Sequence, residues 1–446
     1  MESMRYDLVI RGGTLVTPAG VVAGDIAIHE GRIVAIDPQV AGGANEIDAS
    51  GLLVLPAIID VHLHFNEPGR TDWEGAATGS RALAAGGGAV FFDMPLNSTP
   101  CTITARGFDR KRQALGAASI ADFGLWGGLV PGSVGEMDEL AGRGAVGFKA
   151  FMCDSGLPEF PRADDMTLLD GMHAAARLGL PVAVHAESES LTRAYAAAAT
   201  GRDARAFLTS RPVLCELEAI QRALLFAQET GAALHIVHVS SGRGVAMAAK
   251  ARAEGVDVSI ETCPHYLFFT DADFERLGAV AKCAPPLRSA AEREDLWHEI
   301  AAGSVNIVAS DHSPTEPSRK AGDVMDAWGG IAGVQSTLPV LLDRGHHARG
   351  LSLARIADLV ATTPAQRFRI RGKGSLAVGN DGDLVLVDLD RPFTLSDCDL
   401  QQRHKISPYL GATFRGRVRQ TLRRGETIFA DGSITARTTG RLVRPS

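Results

Sequence analysis

Five apolar stretches of this chain close on residues able to hold a metal ion or move a proton. His62 and His64 stand two apart in DVHLH, and on a strand such residues face the same side, so both imidazoles can reach one ion. Lys149 lies inside VGFKAFM, where an unpaired ammonium is costly and must be paired, reach water or be modified. His185 ends the run PVAVH, His238 comes late in ALHIVHVSS, and Asp311 precedes His312 in NIVASDHS. Each residue alone is compatible with a satisfied core side chain or an interior ion pair. Together they form a set of nitrogen and oxygen donors suited to zinc, with cobalt, manganese or iron as alternatives. A free ammonium has no lone pair to offer a metal. A neutral lysine amine that has reacted with CO₂ becomes a carbamate, an anionic two-oxygen group able to bridge two divalent ions. Such a pair would polarise a carbonyl and generate a nucleophile at neutral pH.

Residues so far apart need a fold that gathers strand ends. From Pro56 to about residue 370, apolar runs alternate with Ala-rich, charged segments of helical length such as DGMHAAARLG and ELEAIQRALLFAQETG. Eight runs can be counted: VLPAIIDVHLH, AVFFDMP, DFGLWGG, AVGFKAFM, PVAVHAE, ALHIVHVSS, DVSIETCPH and NIVASDHS. A doubly wound open sheet also alternates in this way, but a count of eight favours a (β/α)₈ barrel, whose strand C-termini build the active site. Residues 6 to about 55 show alternating apolar residues broken by G-G, E-G and S-G turns, which predicts an antiparallel sheet. After about residue 372 short strands return. The expected organisation is a barrel over 56–372 and a small composite β-sandwich domain from 1–55 and 373–446. The late basic cluster RGRVRQTLRRG reads as a solvated strand face.

Composition narrows the partners. The 446 residues carry 45 Lys+Arg against 52 Asp+Glu, a net charge of −7, and only 6% aromatics, which argues against nucleic acid as a partner. At 45% hydrophobic residues the chain can bury a large core. The six cysteines form no C-x-x-C pair and read as reduced, hence cytoplasmic. The N-terminal residues do not read as a signal peptide, and no apolar run is long enough to predict a membrane span.

The segments DVHLHFNEPGRTDWEGAATGSRALAAGG, DMPLNSTP, GFKAFMCDSG, VHAE, TSRPVLCELEAI, HIVHVSSGRG, ETCPHY, AKCAPPLR, SDHSP, AWGGIAGVQS and RHKISPYLG follow one another in an order and spacing that resembles the cyclic amidohydrolases of the amidohydrolase superfamily, the allantoinase branch in particular. The resemblance covers nearly the whole chain. It implies a binuclear centre in which His62 and His64 bind the more buried ion, His185 and His238 the more exposed one, Lys149 bridges both as its carbamate, and Asp311 completes the first site. It also implies that Asp311 is the general base, taking the proton of a bridging hydroxide as that attacks the ring amide carbon and passing it to the departing nitrogen. The exposed ion would hold the developing oxyanion. The implied reaction opens allantoin to allantoate, in purine catabolism, by a homotetramer.

Substrate choice rests on fewer positions. Dihydroorotases carry an arginine where this chain has Asn66, and a neutral residue suits an uncharged ring. Asn97 offers amide groups to a ureido substituent. Dihydropyrimidinases and hydantoinases usually carry a tyrosine where this chain has Asp154 and Ser155, and Ser313 stands beside the base. Ala284 replaces a serine common in the branch, Thr315 a cysteine, and Cys153 carries no assigned role. Gly330 and Gly333 would let backbone approach a planar ring. Substrate contacts are therefore expected from Asn66, Asn97, Ser155, Ala284, Ser313 and Gly333. The alternatives are a hydantoinase or dihydropyrimidinase and, more remotely, a non-catalytic scaffold of dihydropyrimidinase type.

Overall fold

The alternation of residues 6–17 and 20–29 folds as expected in the computed structural model, which describes residues 6–446. Strand β1 (Tyr6–Thr17) turns back into β2 (Gly20–His29), with Leu8 opposite Ile28, and β2 pairs with β3 (Arg32–Asp37). The next two strands correct the antiparallel expectation. Both β4 (Gly43–Asp48) and β5 (Leu53–Pro56) run parallel to β1. Turn residues specify a reversal between sequence neighbours, but they carry no information about which earlier strand a later one joins.

The sheet continues with the other end of the chain. β15 (Leu384–Thr394) pairs antiparallel with β5, Val54 facing Leu386, and β16 (Thr413–Arg423), β17 (Glu426–Ala430) and β18 (Ser433–Ile434) follow. Leu8, Ile10, Ile26, Val54, Leu386 and Leu422 pack in one buried cluster, so both chain ends share a core.

Between them lie the barrel strands β6 (Ile58–Leu63), β7 (Gly88–Asp93), β8 (Asp122–Leu125), β9 (Gly127–Gly128), β10 (Phe148–Phe151), β11 (Val182–His185), β12 (Leu234–Ile236), β13 (Val258–Thr262) and β14 (Ile307–Val308). These are the eight expected runs, β8 and β9 being two parts of the third. All pairings among them are parallel. The seams close through the Trp126 N–H on Asp93 O, the Val146 N–H on Leu125 O and a parallel bridge between Leu63 and His312. Intervening helices carry the expected stop signals. The helix Asp165–Leu178 is capped by Asp164, whose carboxylate accepts the Thr167 N–H, and ends at Gly179 with φ of 64°. The chain forms a (β/α)₈ barrel joined to a β unit made from both ends.

A buried ionic cluster fastens the two parts. The Lys373 ammonium lies 3.0 Å from Asp122 of β8, 2.8 Å from Asp381 and 2.5 Å from Asp383, and Arg424 also pairs with Asp122. This corrects the reading of the late basic cluster. Arg415, Arg417 and Arg419 do pair on the outer face, but Arg423 is buried against the Ile120 carbonyl and Arg424 faces the barrel. All six cysteines are free, and only Cys398 is exposed. Among the described residues no helix is long and apolar enough to cross a membrane.

Candidate metal centre and its cavity

At the C-terminal mouth of the barrel a cavity of about 350 Å³ is lined by His62, His64, His185, His238 and Asp311, with Lys149 buried beside it. Irregular backbone brings these side chains round. The β6–β7 register shifts between Asp60 and Leu63; along this stretch Ile59 and Val61 pack into the interior cluster with Trp126, while His62 and His64 open onto the cavity. His238 and Asp311, just past β12 and β14, have positive φ, 41° and 44°. Asn66 and Asn97, in the loops after β6 and β7, do so too, at 62° and 68°. Side-chain-bearing residues adopt this conformation at some cost, and its concentration at one mouth marks a site whose geometry outweighs local preference.

Two carboxylates that the sequence reading assigns to no role set the imidazoles. Glu261, fully buried on β13, accepts from His62 Nδ1 at 2.7 Å, from the His238 backbone N–H at 3.1 Å and from His235 Nε2 at 3.0 Å. With its Nδ1 proton committed, His62 presents the bare Nε2 to Asp311 Oδ1, 3.3 Å away; His64 Nε2 lies 3.5 Å from the same oxygen. Glu187 accepts from His185 Nε2 at 2.8 Å and from Arg211 at 2.5 Å. That leaves His185 Nδ1 aimed at His238 Nε2, 3.0 Å away. A signal for Glu261 exists: a carboxylate between Ile260 and Thr262 of an apolar run needs donors, by the same reasoning that singles out Lys149.

The electrostatics suit a cation. Burial holds His64 and His185 below the ordinary imidazole range and His238 well below it, so all three are neutral donors. Burial works against ionisation of Asp311, yet His62, His64 and His238 beside it hold its carboxyl well below the usual carboxylate range. Burial likewise opposes Glu261, which His62 and His235 hold down to about 2. Lys149 Nζ is buried without a hydrogen-bond partner, 5.1 Å from the Phe151 ring, and burial pushes it down to about 8. An orphaned amine of that basicity is part neutral near pH 7, which carbamate formation requires. Three lone-pair imidazoles, an ionised carboxylate and an unsatisfied amine around one cavity fit divalent metal chemistry.

Donor atoms of His62, His238 and Asp311 lie within 4.8 Å of one another, as do those of Cys153, His185 and Glu187. In the second group Glu187 is taken by Arg211 and His185, while burial pushes the Cys153 thiol up to about 12, so neither offers a free ligand. Replacing Glu261 by Gln is expected to weaken metal binding about 10–100-fold, because the amide cannot accept from all three donors. Competition with a chromogenic chelator would measure it, and an unchanged affinity would remove Glu261 from this role.

The expected substrate residues divide. Asn97, Ser155, Ala284 and Ser313 line the cavity, as does Gly330. The Ser155 hydroxyl is already donated to Phe160 O at 2.6 Å, and Ser313 donates to Asp311 Oδ1 at 3.2 Å. Asn66 is turned away, its amide donating to Pro314 O. Gly333 lies outside the lining, against Tyr409, with its N–H on His312 Nδ1.

The chain is similar to known proteins over nearly its whole length. The amidohydrolase family model matches residues 53–428. An allantoinase of Solibacter usitatus is 60% identical over 443 residues, covering 98% of this chain and 97% of the relative. An allantoinase of Rubrobacter xylanophilus is 56% identical over 445 residues, covering 99% and 98%. Among solved structures, the L-hydantoinase (dihydropyrimidinase) of Arthrobacter aurescens superimposes with a TM-score of 0.94 at 33% identity, covering 98% of this chain and all of that one.

Proposed function

The chain belongs to the amidohydrolase family and is a cyclic amidohydrolase, and on that premise we propose that it hydrolyses allantoin to allantoate. The observation that carries the choice of substrate is the 60% identity, over nearly the full length of both chains, to a relative named allantoinase. The hydantoinase alternative draws on the TM-score of 0.94, at the lower identity of 33%.

His62, His64 and Asp311 would hold one divalent ion and His185 and His238 a second, with Lys149 between them as a CO₂-derived carbamate. Zinc suits this donor set best, cobalt, manganese and iron next. When bound, the ions would polarise the ring carbonyl and supply a nucleophile at neutral pH. The protein's own groups do the rest. Asp311, ionised and fixed by the Ser313 hydroxyl, takes the proton released as water adds to the amide carbon, and returns it to the ring nitrogen as the C–N bond breaks. Glu261 and Glu187 keep His62 and His185 in single tautomers throughout. Asn97 offers amide groups to the ureido substituent. The product is a ring-opened carboxylate.

The same reading takes 56–372 as the catalytic barrel and 1–55 with 373–446 as the small domain. It places the enzyme in the cytoplasm, in purine catabolism, as a homotetramer. Turnover of allantoin measured beside that of dihydrouracil and 5-substituted hydantoins tests it: allantoin is expected to have the highest kcat/KM, and a preference for either competitor would transfer the chain to the hydantoinase reading.

A further inference from the structure

Two cations beside the cavity, buried Lys282 and half-buried Lys320, are satisfied by backbone instead of carboxylates. The ammonium of Lys320 donates to Ala279 O at 3.0 Å, Trp328 O at 2.9 Å and Gly330 O at 2.6 Å, which uses all three of its N–H bonds. Lys282 donates to Met325 O at 2.9 Å and Ala327 O at 2.6 Å, and its own carbonyl accepts the Gly330 N–H at 2.8 Å. Neither ammonium is within ion-pair distance of a carboxylate among the described residues. A lysine committed in this way holds main chain in place.

The main chain concerned forms two walls of the cavity. Ala279 leads into Lys282, Cys283 and Ala284, which line one side; Ala327, Trp328, Gly329 and Gly330 line the next. Gly330 also lies directly on the strand end that carries the base. A Cβ built on it would come within 2.5 Å of Ser313 O, and the Ser313 N–H donates to Ile331 O at 2.9 Å. Trp328 packs edge-on to Trp73, their ring centroids 4.8 Å apart. The metal-ligating candidates lie on other segments.

We propose that Lys320 is a positioning residue for ring binding: by clamping the carbonyls of Ala279, Trp328 and Gly330 it fixes the spacing of two cavity walls, and so decides which ring substituents the cavity admits. This rests on the cyclic-amide reading of the cavity. Without the clamp Trp328 O and Gly330 O lose this donor and Ala279 O keeps only the Lys282 N–H at 3.2 Å, the 327–331 segment relaxes away from Ser313, and affinity for the ring falls while the proton-transfer groups stay in place. Arginine keeps the charge, but its planar fork matches two acceptors better than three, so it should restore the wall only in part.

The test has one arm that uses no substrate. In metal-loaded Lys320→Met, amide hydrogen exchange over 327–333 is expected to rise about tenfold while bound metal is unchanged. With allantoin, KM is expected to rise about tenfold and kcat to change less than about threefold, with Lys320→Arg between wild type and Lys320→Met. The preference for allantoin over 5-substituted hydantoins should fall with it. Unchanged exchange and KM, or a kcat loss at constant KM, would overturn the clamp. If the wild-type enzyme does not open allantoin, the substrate reading fails and the exchange arm still decides the clamp. If Lys320→Met does not fold, Lys320→Arg carries the same readouts at smaller amplitude.

Discussion

Lys149→Ala is expected to lose at least about a thousandfold in kcat, some 4 kcal/mol of barrier, and to regain part of it when short carboxylic acids such as acetate or propionate are added. The loss follows from position. The Lys149 amine is buried without a partner at a site ringed by neutral imidazoles and an ionised Asp311, so truncation removes the one group there able to carry an anionic bridge. The rescue follows from space: the side chain leaves a channel into which a small carboxylate fits. It stays partial because a free acid at millimolar concentration does not match the effective concentration of a tethered group. Intact-mass measurement of the wild type under native conditions should show an adduct of about 44 Da that the variant lacks. Full activity in Lys149→Ala would dispose of the carbamate.

Asp311→Asn should cost a further decisive factor, on the order of a thousandfold to ten-thousandfold in kcat, because the amide keeps the shape of the carboxylate and loses its basicity. The substitution also turns an acceptor facing His62 Nε2 and His64 Nε2, at 3.3 and 3.5 Å, into a group that can donate. Metal content therefore has to be read alongside rate. A variant that retains its ions and is inactive assigns Asp311 the proton transfer; one that loses an ion assigns it a ligand role as well. Normal turnover would remove it from both.

The six candidate residues are visible in sequence because a barrel projects strand ends to one mouth, and a strand end is a one-dimensional feature: an apolar run that stops. Glu261 is harder to see because its role depends on His62, nearly 200 positions earlier, meeting it across the barrel. Gly333 lies outside the cavity lining for a related reason. A glycine marks where backbone must come close to something, and here the neighbour is Tyr409 and not a ligand. Alternation finds β1 to β5 but not their directions, since pairing partners are chosen by the core they bury. The same holds for Arg423 and Arg424, adjacent to exposed arginines in sequence and facing the barrel in space.

The join between the chain ends has a consequence for synthesis. β5 emerges from the ribosome more than 300 residues before β15, its partner along one edge, so the first half of the sheet waits with an open edge while the whole barrel is made. The cavity waits too. The Ser407 hydroxyl holds Ala332 O, Gln335 spans to Asp399 O and the Gln401 N–H, and Tyr409 backs Gly333, all beside the loop that forms the cavity wall. A chain interrupted after Asp311 but before Tyr409 therefore carries every candidate ligand and still lacks part of the buttress of its pocket. Catalytic competence thus reports that translation has passed Tyr409.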